Sequence, residues 1–379
     1  MPKVAIDLRA TEVGFKQHAL RGTGRYVKEL YKELKENKEL SIVDLYSKDF
    51  LKLPSSIPMI GRTTIETQLL LPRKINNLEL DLAHFFSHGD APAWGKAPTV
   101  VTVLDLIPLI FSDLYTKNKS NLRFKFARFL ENNAVKKAKG IIAISEATKR
   151  DVVKILKVRE DKIFVAPLAV SQDFIERKPK PEKKNKFEYP TLLYVGGIDA
   201  RKNISFLLKV FKSLLKEKTW KTLPRLLIAG NLKQDANYEE FLTELKRHSL
   251  EQQVDELGYV SDDELIALYD SVDIFVFPSL YEGFGLPVLE AISRGCVVAA
   301  GNNSSIPEVL GPDYPLLEDN NEKEWIEYIY DLLRNEARKE KLSKIGIERS
   351  KIFSWKDTAN KTFNAYKNIL GSSQLAGGN

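Results

Sequence analysis

Residues 273–290 read DIFVFPSLYEGFGLPVLE. After Asp273 come four apolar residues, enough for a short buried strand, and the run breaks at Pro278. A loop leads to Gly283-Phe284-Gly285. A helical pattern then starts near Leu286, with Pro287 in its first turn, where the missing amide costs nothing. Strand, glycine bend and helix in this order bring free amides and the positive end of a helix dipole to one point. Two glycines at the bend let a bulky anion approach the backbone. The chemistry suits a diphosphate, or a sugar that carries one.

Glu282 and Glu290 flank the bend. Glu290 falls about 1.5 turns into the helix, roughly 7 Å along its axis. A carboxylate beside a diphosphate meets Coulomb repulsion, so these two fit hydroxyl recognition better than phosphate contact. Either glutamate alone reads equally well as a solvated charge. The string as a whole does not.

Outward from this stretch, short apolar strands alternate with longer amphipathic helices, the pattern of parallel α/β sheets. The first half predicts strands at 4–8, 82–86, 99–106, 140–145 and 162–166, and helices at 24–34 and 146–156. The second half predicts strands at 191–196, 225–230, 273–278 and 296–300, with helices at 204–215, 238–247, 262–270 and 286–294. Between them, residues 176–190 (ERKPKPEKKNKFEYP) are rich in Lys and Pro and read as an exposed linker. This gives an N-terminal domain at 1–175, a linker at 176–190 and a second domain at 191–352. A C-terminal helix at 353–370 could pack back on the first domain, and a flexible tail follows at 371–379.

The chain has 379 residues, 43% hydrophobic and 29% charged, which fits two ordinary globular domains rather than a disordered chain. Its one cysteine, Cys296, excludes an internal disulfide and a cysteine-rich zinc site, and fits a reducing compartment. The start, MPKVAIDLRA, lacks a signal-peptide pattern, and no run of about 18 apolar residues appears. The expected location is therefore cytoplasmic. A formal charge of +7 favours anionic partners, although a solvated basic surface accounts for it equally well.

Arg201 and Lys202 follow the end of a strand, before Asn203, a residue suited to cap the next helix. Gly22-Thr23-Gly24 fails as a dinucleotide fingerprint because Val27 occupies the third glycine position. Asp105 ends an apolar strand at 101–108, where it is either a polar ligand or a strand-end cap. His18, His84, His88 and His248 make no metal-binding pattern. Residues 122–130, LRFKFARFL, mix bases and aromatics. Arg123, Lys125 and Arg128 could meet an anionic membrane. The same stretch fits an amphipathic helix that packs Phe124 and its neighbours into its own domain.

Glu-Gly-Phe-Gly-Leu-Pro-Val-Leu-Glu at 282–290 resembles the E-x7-E signature of retaining glycosyltransferases of family 4, which have the GT-B fold. The resemblance extends over Gly22-Thr23-Gly24-Arg25-Tyr26, Ile142-Ala143-Ile144-Ser145-Glu146, Tyr194-Val195-Gly196-Gly197, Arg201-Lys202-Asn203 and Gly258-Tyr259-Val260-Ser261. It implies an α/β, GT-B protein with two Rossmann-like domains whose parallel sheets face a central cleft. It also implies a retaining, metal-independent hexosyltransferase that needs no cofactor beyond its nucleoside-diphosphate sugar. The similar subgroup is the mannosyltransferase-like enzymes of surface-polysaccharide assembly.

By the resemblance, Glu282 holds hydroxyls of the transferred sugar and Glu290 the ribose. The amides of Phe284, Gly285 and Leu286 cradle sugar and phosphate, with Gly283 beside them. Arg201 and Lys202 stabilise the departing diphosphate. Gly24, Gly197, Tyr259 and Val260 complete the donor site, and Asp105 joins the catalytic group. Expected partners are a GDP-, UDP- or dTDP-linked sugar and a glycan or polyprenyl-linked acceptor. Peripheral contact with the inner membrane face is compatible with this, and nucleic acid is not expected.

Two positions depart from the pattern. Gly197 stands where some members carry an arginine, and Leu104 where many have histidine. An apolar Leu104 against the donor's C6 end would suit a 6-deoxy sugar or a pentose, while the resemblance to mannosyltransferase-like enzymes implies mannose; mannose or a 6-deoxyhexose is the favoured cargo. A sugar-nucleotide epimerase of the same fold and an inactive nucleotide-sugar-binding protein are the alternatives.

Overall fold

The computed structural model describes residues 1–12, 22–47, 63–112, 122–178, 187–217 and 220–376. The chain divides into two units, Met1–Leu168 with Ser354–Asn379, and Ala169–Phe353. The first holds a six-stranded sheet of β1 (Lys3–Asp7), β2 (Ser41–Leu45), β3 (Leu82–Phe85), β4 (Thr99–Val103), β5 (Gly140–Ala143) and β6 (Ile163–Val165). Its order is β2-β1-β3-β4-β5-β6, with every pair parallel. The second holds β7 (Thr191–Val195), β8 (Arg225–Ala229), β9 (Val254–Gly258), β10 (Ile274–Phe277) and β11 (Val297–Ala300). Their order is β11-β10-β7-β8-β9, again parallel throughout. Each unit is thus Rossmann-like, as the α/β, GT-B expectation requires. Parallel strands covered on both faces need apolar side chains on both faces. Hence β10 and β11 are buried at every residue.

Most expected elements are present within one or two residues. Two further strands, β2 and β9, have the sequences SIVDL and VDELG, which carry no apolar run. Both lie at a sheet edge. An edge strand has one flank open to water, so Asp44, Asp255 and Glu256 are tolerated there and erase the apolar run that marks a central strand.

The units part at Leu168/Ala169 rather than within 176–190. The short helix Gln172–Glu176 belongs to the second unit because its contacts lie there. The Phe174 ring meets Tyr269 edge-on at 6.5 Å, and Arg294 donates to the carbonyls of Phe174 and Ile175. The last helix, Trp355–Ala376, continues through residues once expected to form a tail. It belongs to the first unit, where Thr358 Oγ1 donates to Pro167 O at 2.6 Å and the Trp355 ring lies 6.0 Å from Tyr26.

Asn203 occupies the N-cap of Ile204–Leu214, yet its side chain makes no capping bond. Its backbone is left-handed, with φ 57°, and its amide donates to Asn320 instead. Asparagine suits this position through its tolerance of that conformation, not through the side-chain cap expected of it. The helix Leu122–Lys137 packs on its unit through Leu130, Ala134 and Val135. Phe126 and Phe129 face outward, 53% and 60% exposed and stacked at 6.5 Å. The side chains of Arg123 and Phe124, and all of His18, lie outside the described residues. Among the described residues no helix is long and apolar enough to cross a membrane.

His84 is a core residue of the first unit. Its Nδ1 lies 2.6 Å from Tyr366 Oη and its Nε2 2.8 Å from Thr102 Oγ1. Burial pushes the imidazole down from its ordinary 6.5 to about 3. The unfolded chain binds a proton near 6.5 that the folded chain refuses until about 3, so stability falls as pH drops through that window. In denaturant titrations between pH 6.5 and 5, wild type should lose up to about 1.4 kcal/mol per pH unit through this group. His84→Gln should remove that slope. An unchanged slope in the variant would contradict the assignment.

Candidate functional site

In the second unit, β7 is followed in sequence by β8 on one side and joined by β10 on the other. The strand order therefore reverses between β7 and β10. At such a point the connections leave in opposite directions, and the carboxyl ends of the two strands open a crevice. The loop after β7 supplies Arg201 and Lys202. The loop after β10 supplies Glu282 and the glycine bend.

The two loops are tied at the backbone, where Leu280 N donates to Arg201 O at 2.7 Å. Above that bond, Lys202 Nζ donates to Glu282 Oε1 at 2.6 Å, and Arg201 Nη1 donates to the same oxygen at 3.1 Å. Arg201 Nη1 also reaches Tyr281 O at 3.2 Å, and its Nε lies 3.1 Å from Asp199 Oδ1. Lys202 sits 5.4 Å from the Phe277 ring centroid. The three side chains of the Arg201–Lys202–Glu282 cluster are only 11–15% exposed.

Burial alone would push the Glu282 carboxyl up. Lys202 and Arg201 outweigh it, and the group stays below its ordinary value. Its ionised form therefore stabilises the fold above the ordinary carboxylate range, and that contribution is lost only as pH falls through the lowered value. Asp199 is shifted the other way, upward, because its burial is only partly offset by Arg201 and Lys202. Two cations thus face two carboxylates across the loops. An arriving anion finds cations already held in place, while a polyol finds an ionised acceptor.

Two glycines make room for this geometry. Gly196 directly follows β7 at φ 149°, and a Cβ there would lie 2.8 Å from Tyr194 Oη. Gly285 is left-handed, with φ 95°, and a Cβ would lie 2.6 Å from Ile306 Cδ1. Any other residue at Gly285 would meet both strain and a clash. The helix Leu286–Ser293 starts immediately after it, with Pro287 in the first turn. Val288 N and Leu289 N both donate to Gly285 O, at 3.0 and 3.2 Å, and Pro287 has no N–H, so Leu286 N is the first-turn amide beside the bend that Phe284 and Gly285 form. Phe284 anchors the bend from below, buried and edge-on to Phe353 at 5.7 Å. Glu290 is 5% exposed, within the same helix.

The sequence-derived residues are therefore partly gathered. Gly197, Arg201, Lys202, Glu282, Gly283, Phe284, Gly285, Leu286 and Glu290 share the two loops and one helix. Tyr259 and Val260 follow edge strand β9 and line a pocket of about 320 Å³ with Phe187, Leu257, Glu264 and Leu268. None of the cation–carboxylate residues lines that pocket. Gly24 and Asp105 belong to the first unit. Gly24 lies in the first turn of the helix Gly22–Lys35, and the Asp105 carboxylate accepts Ile107 N at 3.0 Å, just before the helix Ile107–Ile110.

Sequence reading missed a second charged cluster at the switch point of the first sheet, between β1 and β3. Arg9 is fully buried and forks onto Asp7 at 2.8 and 2.7 Å, with further bonds to Asp90 O at 2.8 Å and Thr67 Oγ1 at 3.2 Å. The signal was present as Asp7-Leu8-Arg9 directly after an apolar strand. A bidentate pair this enclosed ties β1 to the segment after β3.

Residues 20–174 match the family model Glycosyltransferase Family 4, and residues 175–349 match Glycosyl transferases group 1. The chain is 34% identical to the O-antigen chain mannosyltransferase B of Escherichia coli over 250 residues, 63% of this chain and 64% of that one. It is 30% identical over 283 residues to the serotype-specific mannosyltransferase WbdA of the same organism, 73% of this chain and 34% of that one. The alignments thus span 64% and 34% of the lengths of these relatives. Among solved structures, sucrose-phosphate synthase from Thermosynechococcus elongatus superposes with a TM-score of 0.73 at 16% identity, covering 98% of this chain and 100% of its own. Anabaena HepE in complex with UDP and glucose gives 0.68 at 16%, covering 97% and 100%. Those two likenesses speak for the fold. With two adjoining family models over residues 20–349 and the loop geometry behind the signature, the chain belongs to glycosyltransferase family 4.

Proposed function

We propose that the protein transfers a hexose from a nucleoside-diphosphate sugar to a glycan or lipid-linked glycan acceptor, with mannose the favoured sugar. The observation that carries this reading is the Arg201–Lys202–Glu282 cluster, set where β7 and β10 part. Breaking the bond between the sugar's anomeric carbon and the diphosphate leaves charge on the departing oxygen. Two fixed cations stabilise that charge in the transition state more than in the ground state. Glu282 accepts from hydroxyls of the sugar, Glu290 from the ribose, and the amides at Phe284, Gly285 and Leu286 hold the phosphate end.

The reading includes retention of anomeric configuration, with the acceptor oxygen bonding to the anomeric carbon on the face the diphosphate leaves. In that route the acceptor's proton passes to the departing phosphate oxygen. It also includes independence of metal, since the arginine and lysine supply the positive charge. The first unit takes the acceptor, with Gly24 and Asp105 as candidate contacts. A lipid-linked acceptor is consistent with the outward Phe126 and Phe129, beside the exposed Lys125 on the same helix. The similarity to O-antigen and serotype-specific mannosyltransferases supports mannose and surface-polysaccharide assembly, whereas Leu104 supports a 6-deoxyhexose.

A melting-temperature panel of GDP-mannose, UDP-glucose and dTDP-rhamnose tests the donor, because a ligand bound only by the folded state raises its stability. One should raise the midpoint clearly above the other two. No shift with any of them contradicts the reading. Glu282→Ala and Lys202→Ala should each lower turnover of that donor by about 100-fold or more; near-wild-type rates in both would remove these roles. Glu282→Gln, which leaves two enclosed cations without the negative charge they share, should cost about 1–3 kcal/mol in denaturant unfolding. A variant as stable as wild type would show that the cluster does not hold the loops.

A further inference from the structure

The loop after β11 is fastened to the Glu282 turn at three backbone points. Asn303 Nδ2 donates to Ser279 O at 2.9 Å. Ser304 Oγ accepts the Glu282 N–H at 2.9 Å. Ser305 Oγ donates to Glu282 O at 2.9 Å. Both polar backbone groups of Glu282 are therefore held by hydroxyls from one neighbouring loop.

Ser304 achieves this at a cost. Its φ is 44°, a left-handed conformation that a residue with a Cβ adopts only when its surroundings hold it there. Strain of this kind, beside a candidate catalytic carboxylate, calls for a reason. Glycine would relieve the strain but carries no hydroxyl. The serine keeps the strain and supplies the acceptor. Its one proton is also committed, since Ser304 Oγ donates to Asn303 Oδ1 at 3.3 Å while it accepts from Glu282 N. No proton is left for a substrate. Ser305 is wholly buried, so it too acts on protein groups.

We infer that Ser304 and Ser305 are positioning residues for Glu282, fixing its peptide so that its carboxylate meets the donor sugar in one orientation. The assignment rests on the sugar-binding role given to Glu282 above. With the peptide pinned at both ends, only side-chain rotations move the carboxylate, and Lys202 and Arg201 restrict those. Loss of either serine frees the turn without removing any group that touches the donor.

Steady-state kinetics and melting curves of the full chain separate positioning from plain structural support. The probe is whichever of GDP-mannose, UDP-glucose and dTDP-rhamnose raises the wild-type melting temperature. Ser304→Gly relieves the left-handed strain although it loses the bond to Glu282 N, so its melting temperature should lie above that of Ser304→Ala. Its kcat for sugar release should nonetheless fall about tenfold or more, with KM for the donor within about twofold. Ser304→Ala keeps the strain and loses the bond, so both kcat and melting temperature should fall. Wild-type kcat in Ser304→Gly overturns the inference, as does a kcat that falls only in step with the melting temperature across the two variants. A wild-type chain that neither binds nor turns over any of the three donors overturns the functional reading, and this inference with it.

Discussion

Lys202 and Glu282 meet at 2.6 Å across the point where the second sheet reverses its strand order. That contact is the constraint on which the candidate site depends. It couples two loops that leave the sheet in opposite directions, and Arg201 shares its acceptor oxygen. The backbone bond from Leu280 N to Arg201 O sets the loops' separation, so the side chains meet without searching. An ion pair so enclosed contributes little net stability once desolvation is counted, and removing one partner is costly. Its value lies in holding charged groups still at a place where substrate charge would develop.

The glycine bend and the switch point work together. A buried β10 with no polar side chain can only deliver its functional groups beyond its end, in the loop at 278–285. Gly285, left-handed and packed on Ile306, turns that loop straight into the helix Leu286–Ser293. The loop after β11 closes the third side. The second unit thus assembles two cations, an ionised carboxylate and a glycine bend from three neighbouring strand ends, without any of them lying within a strand.

Much of this was legible in the residues alone. Four apolar residues, a proline, two glycines and a second proline fix strand, bend and helix at 273–290 almost to the residue. Arg201-Lys202 after a strand located the cations. What stayed hidden was local in a different sense. β2 and β9 are edge strands whose charges mask their period. The division at Leu168/Ala169 depends on what Phe174 and Ile175 touch, and a lysine-rich stretch nearby was the louder signal. Ser304 looks like an ordinary loop serine until its backbone angle and its bond to Glu282 N are known. Asp7 and Arg9 are two residues apart in sequence, and nothing there shows that Arg9 is fully enclosed.

The most direct measurement is a crystal structure of the chain with the nucleoside diphosphate of its donor. The account predicts phosphate oxygens within hydrogen-bond distance of Lys202 Nζ and the Arg201 guanidinium, with the amides of 284–286 at the same group and Glu282 clear of it. A diphosphate seated elsewhere, with the Lys202–Glu282 contact untouched and these amides turned away, would contradict it.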